Sequence, residues 1–457
     1  MNKLFIFEKW EEALMKTGYA LHNCHIIYGD GKKFADTNMT ILVNEQGRIH
    51  QIEKTSNLVV PSHYESIDLT GNYVMPGLIN AHVHLFADGK PFTLSVSEKL
   101  LNFAFHHLLD TSIGRRILKK RMKKNAITAL HSGVTTMRSV GEFFYKDVEL
   151  REEIHAHKFV GPNLLTAGYF LSVTGGHGAP YLALVGDSPW EARRNVRINV
   201  KHGVDLIKIC VTGGVTDAKM VGEAGRLQMT EDEVAAICEE AHKIGIRVAA
   251  HVESTEGVRV ALKGGVDTIE HGAEMDEEII SLYKCNPRAL KGYTALIPTL
   301  QAGYPSAKLD LSLTKVSETV QENSRLVYDS MLASVRQAVE HGIKMGIGTD
   351  AAMPFVTHYD MWRELDHLMR KTSLDSLQVI EKATKTNAEI LGIDHLTGTI
   401  EMGKRADLIV MDHNPLENIK TLSNITMVMV NGQLIKNPNV NKMKEVDDLL
   451  DLVWSNE

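Results

Sequence analysis

Cysteine is scarce in this chain: four residues, Cys24, Cys210, Cys238 and Cys285, in 457. They lack the paired spacing of a zinc ribbon or a disulfide framework, and they fit buried reduced thiols in a cytoplasmic protein. Long hydrophobic runs are also missing. The opening Leu4-Phe5-Ile6-Phe7 gives way to Glu8, Glu11 and Glu12, too short for a secretory core, and no later stretch reaches spanning length. Positive charge is not in excess: 50 Lys and Arg against 57 Asp and Glu give a net charge of −7. Neither nucleic acid nor an anionic membrane is therefore an expected partner. The one basic run, at 119–124, leads into Ala126-Ile127-Thr128-Ala129-Leu130 and reads as a solvated helix face. A glycine-rich phosphate fingerprint is absent after the first strand of the middle region, which disfavours an open doubly wound sheet.

What is present is the composition of an ordinary globular protein, 44% hydrophobic and 23% charged. Residues 20–73 read as short strands and turns, with strands at 20–28 and 39–43 and turns at Asp30-Gly31 and Gln46-Gly47. The same style returns after residue 404: strands at 406–411 and 427–430, then Asn431-Gly432, a strong hairpin signal, before 433–435. We therefore expect one small β domain assembled from both ends, residues 1–75 and 405–457, around a different middle, 76–404. Helices are expected at 446–454 and at 7–15.

The middle alternates strands and helices, the pattern of parallel βαβ units. Eight strands are expected, at 78–84, 134–139, 163–168, 206–211, 247–251, 268–271, 294–300 and 345–350. Helical stretches such as 231–244 and 256–263 separate them, each followed by glycine. Eight units in this length fit an α/β fold of (β/α)8 type, whose chemistry collects at the C-terminal ends of the strands.

Those ends carry an unusual set of side chains. Val74-Met75-Pro76-Gly77-Leu78-Ile79-Asn80-Ala81-His82-Val83-His84 places two histidines on one face of a strand, as zinc requires of neutral imidazoles. His251, His271 and Asp350 each end a strand of their own. A histidine there is commonly a satisfied core residue, and an aspartate a helix cap; their recurrence favours metal ligation. Lys208 lies inside the apolar run Leu206-Ile207-Lys208-Ile209-Cys210-Val211, where desolvating a cation costs on the order of several kcal/mol. A buried ion pair or a snorkelling stem would answer that cost, as would modification into a metal-binding anion. His155-Ala156-His157 serves as a control: in a helical context two residues subtend about 200°, so these rings diverge. His106-His107 likewise reads as a helix surface.

These residues, with Thr268-Ile269-Glu270-His271-Gly272, Gly348-Thr349-Asp350 and Gly403-Lys404-Arg405-Ala406-Asp407-Leu408, resemble the amidohydrolase superfamily over nearly the whole chain. Thr174-Gly175-Gly176-His177-Gly178, Gly213-Gly214 and Glu256-Gly257 narrow the resemblance to the imidazolonepropionase-like branch. That branch includes binuclear dipeptidases of the Xaa-Pro (prolidase) and Xaa-Arg/Lys type and ochratoxin-type amidases. The resemblance implies a distorted (β/α)8 TIM barrel with a small β-sandwich domain. It also implies two divalent metal ions, usually zinc, bridged by a carboxylated (carbamylated) Lys208 and a hydroxide. His82, His84 and Asp350 would hold one ion, and His251 and His271 the other. Imidazolonepropionases lack the bridging lysine, so Lys208 argues against that activity.

The implied reaction is hydrolysis of an amide bond in a small-molecule substrate, a dipeptide or an N-acyl amino acid. Asp350 would move the proton and His177 would stabilise the oxyanion. One position departs from the dipeptidases: Glu253 stands where Tyr or His is common, and its carboxylate is expected to attract a cationic group on the substrate. Protein-cation pairing or helix capping is the plainer role for it. A lactone or cyclic-amide hydrolase is the enzymatic alternative; a non-catalytic barrel scaffold is the alternative from another class. Barrels of this kind often pair, which leaves a homo-oligomer open.

Overall fold

The computed structural model describes residues 18–32, 36–91 and 102–455; the helix expected at 7–15 lies outside them. Five strands come first: β1 (Tyr19–Ile26), β2 (Asp36–Val43), β3 (Ile49–Lys54), β4 (Glu65–Asp68) and β5 (Tyr73–Pro76). β1 pairs in parallel with β4 as far as His22 and with β5 from His25 onward. The change of partner falls at Asn23, whose left-handed φ of 61° accompanies a register shift against β2.

The middle contributes β6 (Leu78–Val83), β7 (Val134–Ser139), β8 (Asn163–Thr166), β9 (Phe170–Ser172), β10 (Ala183–Val185), β11 (Leu206–Cys210), β12 (Arg247–Val252), β13 (Thr268–His271) and β14 (Ala295–Ile297). They form two parallel sheets, β6-β7-β8 and β10-β9-β11-β12-β13-β14. Helices between them start at caps the sequence supplies. Thr230 and Glu233 make a capping box for Glu231–His242, and Ser254 caps Thr255–Gly264, which ends at Gly265 with φ 97°. Apolar faces of these helices, among them Val234, Ile237, Val258 and Leu262, pack on the sheets as one large core.

Three expected strands differ in form. The one placed at 163–168 stops at Thr166 and resumes as β9 beyond Gly168, which has φ 67°. The one placed at 294–300 stops at Ile297, because Pro298 has no N–H to donate and Thr299 has φ 50°. Residues 345–350 make no regular strand. They are joined to β14 by the Leu296–Met345 bridge and to β6 by the Val83–Ala351 bridge. The Gly346 N–H donates to the Leu296 carbonyl at 2.9 Å and the Asp350 N–H to the His82 carbonyl at 2.9 Å. Asp350 is left-handed, φ 59°, which interrupts the ladder and turns the chain at the site.

The C-terminal region adds β15 (Leu408–Met411), β16 (Met427–Val430) and β17 (Gln433–Lys436). The resemblance implies a β-sandwich for the β-rich ends; the strands form one hydrogen-bonded sheet of eight, β17-β16-β15-β5-β1-β2-β3 with β4 beside β1. Pairing of β5 with β15 unites the two ends, and Leu21, Ile41, Val74, Leu408 and Met429 fill its core. The β16–β17 turn is Asn431-Gly432, both with positive φ, as the hairpin signal requires. The helix Lys444–Ser455 packs on the α/β part: the Trp454 ring lies 4.9 Å from Tyr304 and 5.3 Å from His367. One residue, Gly77, separates β5 from β6, and its N–H donates to the Asp407 carbonyl at 2.9 Å. The small sheet thus leads directly into the strand that carries the first histidines. Among the described residues no helix is long and apolar enough to cross a membrane.

Candidate metal centre

β6 is buried at every position, and His82 and His84 project from its end. Their Nε2 atoms lie 3.4 and 3.3 Å from Asp350 Oδ1. Each Nδ1 is tied elsewhere: His82 to the Glu270 carboxylate at 2.7 Å, His84 donating to the Gly141 carbonyl at 2.8 Å. These outer partners fix ring orientation, so both Nε2 atoms face the aspartate. Burial would raise the Asp350 carboxyl, but the charges of His82 and His84 beside it hold it well below the usual carboxylate range. Burial lowers His84, against the pull of Asp350. Gly348 permits this approach, since a Cβ there would stand 2.5 Å from the His82 Cβ.

A second cluster consists of His251 and Glu253 at the end of β12 and His271 at the end of β13; its donor atoms lie within 4.8 Å of one another, as do those of the first. The His271 ring is 5.1 Å from His82 and 4.7 Å from His251, which makes the clusters neighbours. Thr299 Oγ1 holds His271 Nδ1 at 2.8 Å, and His251 Nε2 donates to the Gly213 carbonyl at 3.3 Å. Burial drives both histidines well below their ordinary pKa. Lys208 is buried in β11, where desolvation lowers its pKa while Glu270 and Asp350 oppose the shift. Its charge is felt at His251, His271, Glu253 and Asp350. Five of the six positions expected from sequence thus fall in two adjacent clusters, and Lys208 lies close enough to act on both electrostatically.

Glu253 belongs to the second cluster itself. Burial, with the charges of Asp350 and Asp217, pushes its carboxyl up to about 8. His177 lies flat on His251, centroids 4.3 Å apart, and its Nδ1 is bonded to the Asp217 carboxylate. Its own N–H donates to Gln228 Oε1 at 2.9 Å. Gly214 makes room for the ring: a Cβ there would be 2.5 Å from His177 Cε1. Neither His106, His107, His155 nor His157 joins a metal-competent cluster among the described residues.

Sequence reasoning gave no role to Arg138, Glu270, Thr299 or Asp217. Arg138 had a signal, a cation within the buried strand β7, which is the argument applied to Lys208. Glu270 sits beside His271 in a motif already singled out. Burial opposes its ionisation, but Arg138 and His82 hold it below the carboxylate range.

One carboxylate oxygen in each cluster, Asp350 Oδ1 and Glu253 Oε2, is buried without a hydrogen-bond donor. An acceptor in that state is costly unless a cation completes it. Imidazole nitrogen with carboxylate oxygen suits zinc and related divalent ions, so the residues fit metals.

The amidohydrolase family model matches residues 73–435. The chain belongs to the amidohydrolase family. This amidohydrolase is 40% identical to a prolidase-like protein from Bifidobacterium longum of known crystal structure, with a TM-score of 0.86 over 96% of this chain and 100% of that one. It is 29% identical to a Xaa-Pro dipeptidase crystallised with methionine in its active site, TM-score 0.77, over 92% and 100% of the two chains. Ochratoxinase of Aspergillus niger is 27% identical over 395 residues, 80% of this chain and 76% of that protein.

Proposed function

We propose that this amidohydrolase hydrolyses the amide bond of a dipeptide or N-acyl amino acid, using two divalent metal ions, best zinc, at the mouth of a distorted (β/α)8 barrel spanning residues 76–404. The observation that carries the reading is the pair of adjacent donor clusters with Lys208 buried beside them. His82, His84 and Asp350 would hold one ion and His251 and His271 the other, with carboxylated Lys208 joining them. When bound, such ions lower the pKa of a water molecule and polarise a carbonyl.

The chain's own groups do the rest. Asp350, in the first cluster and facing the second, takes the proton from the attacking water and delivers it to the departing amine. Asp217 accepts from His177 Nδ1 and so fixes which ring nitrogen faces the substrate; with that contact made, the protonated ring offers its second N–H, on Nε2, to the developing oxyanion. The prolidase-like protein and the Xaa-Pro dipeptidase, with ochratoxinase beside them, support this substrate class.

The test is a panel of dipeptides, N-acyl amino acids and lactones assayed on zinc-loaded protein. Turnover of amides supports the reading. Turnover of lactones alone supports the lactone-hydrolase alternative. A protein that takes up no divalent metal and turns over nothing is a scaffold.

A further inference from the structure

β12 ends at Val252, within His251-Val252-Glu253. Residues two apart on a strand share a face, so this segment repeats what His82-Val83-His84 does at the end of β6. The repetition is chemical as well as geometric. His82, His84 and Asp350 make one cluster; His251, His271 and Glu253 make the other. Each has two imidazoles and one carboxylate.

Glu253 is built into that position. Its N–H donates to Thr212 Oγ1 at 3.0 Å, and Gly225 lies so close to its carbonyl that a Cβ there would approach to 2.5 Å. The side chain is only 9% exposed, with Oε1 3.9 Å from His251 Nε2 and Oε2 buried with no donor. Among the described residues no lysine or arginine comes within ion-pair distance of it; Lys208 acts on it only from farther away. A carboxylate meant to anchor a substrate's cationic group would be expected to face away from the histidines; this one sits among them.

We propose that Glu253 is a direct ligand of the second metal ion, so that each ion has two histidines and a carboxylate of its own and Lys208 joins the pair. The proposal rests on the two-metal reading above. Its consequence is electrostatic: His251 and His271 are neutral when they bind a dication, and Glu253 supplies a negative charge there whether or not Lys208 is carboxylated.

The full-length protein is loaded with zinc, dialysed and analysed for metal by mass spectrometry. Wild type is expected to hold two ions per chain. Glu253→Gln should hold one, with affinity for the second reduced at least ~100-fold, and Glu253→Asp should recover part of it. Two ions bound with wild-type affinity by the Gln variant would overturn the proposal. Wild type binding fewer than two ions would instead overturn the two-metal reading on which it stands. Zinc-edge diffraction from wild-type crystals needs no variant to fold. A Glu253 oxygen about 2.0–2.2 Å from the second ion supports ligation, and one beyond about 3.5 Å contradicts it.

Discussion

One guanidinium nitrogen of Arg138 lies 2.7 Å from both oxygens of the Glu270 carboxylate, and Glu270 in turn lies 2.7 Å from His82 Nδ1. This chain of three ties β7 to β13 and β6 and holds the ring of a proposed metal ligand from behind. All three side chains are almost fully buried. In such a setting the loss of one partner strands the other charge away from water.

Arg138→Met should therefore cost about 3–5 kcal/mol in urea unfolding. Adding Glu270→Gln in the same chain should recover part of that loss, because the stranded charge is gone. A loss below about 1 kcal/mol for the single variant would mean that the ion pair is not a buried unit.

His177→Ala should lower kcat by ~10²–10³ with metal content unchanged, the size of effect seen when an oxyanion donor is removed. Asp217→Ala should act in the same direction but more weakly, about 10–100-fold, since it only orients the ring. Steady-state kinetics with parallel metal analysis decides it. If His177→Ala raised KM alone, the residue would contribute to uniform binding and not to the transition state.

Glu364 gives a stability signal away from the metal site. Burial pushes its carboxyl up to about 8, although it accepts the N–H groups of Leu300 and Gln301 at 2.8 and 2.7 Å. A raised carboxyl means that the folded state keeps a proton the unfolded chain has lost. Its contribution is full below the ordinary carboxylate range and disappears as pH rises through about 8. Wild type should lose on the order of 2 kcal/mol relative to Glu364→Gln between pH 5.5 and 8.5. Parallel urea titrations of the two proteins that track each other at both pH values would contradict this.

Gly348→Ala should displace His82, because the new Cβ meets the His82 Cβ at 2.5 Å and the Ile297 side chain at 2.8 Å. We expect a loss of about 1–3 kcal/mol and weaker binding of the first metal ion. Calorimetric zinc titration of the variant checks it; unchanged affinity would show that the strand absorbs the methyl group without moving the ligand.

The site was legible in the sequence where strand alternation and burial act locally. His82 and His84 at i and i+2, Lys208 in an unbroken apolar strand, and His251, His271 and Asp350 at the ends of their segments could all be read without coordinates. Arg138 and Glu270 were not read as partners because they are 132 residues apart and only the parallel sheet brings them together. The eighth segment eluded the strand pattern for a local reason: Gly348 and left-handed Asp350 serve the close approach to His82, and Gly346 the approach to Asn387 and Ile297, at the expense of a regular ladder. The parallel pairing of β1 with both β4 and β5 left no mark on hydrophobic periodicity, so the single curled sheet could not be told from two layers.

Anomalous diffraction at the zinc edge from crystals of the zinc-loaded protein tests the central claim most directly. Two peaks about 3.5–4 Å apart are predicted, one against His82, His84 and Asp350, the other against His251 and His271, with continuous density from Lys208 between them. No peak at these residues, or peaks confined to other parts of the surface, would contradict the account.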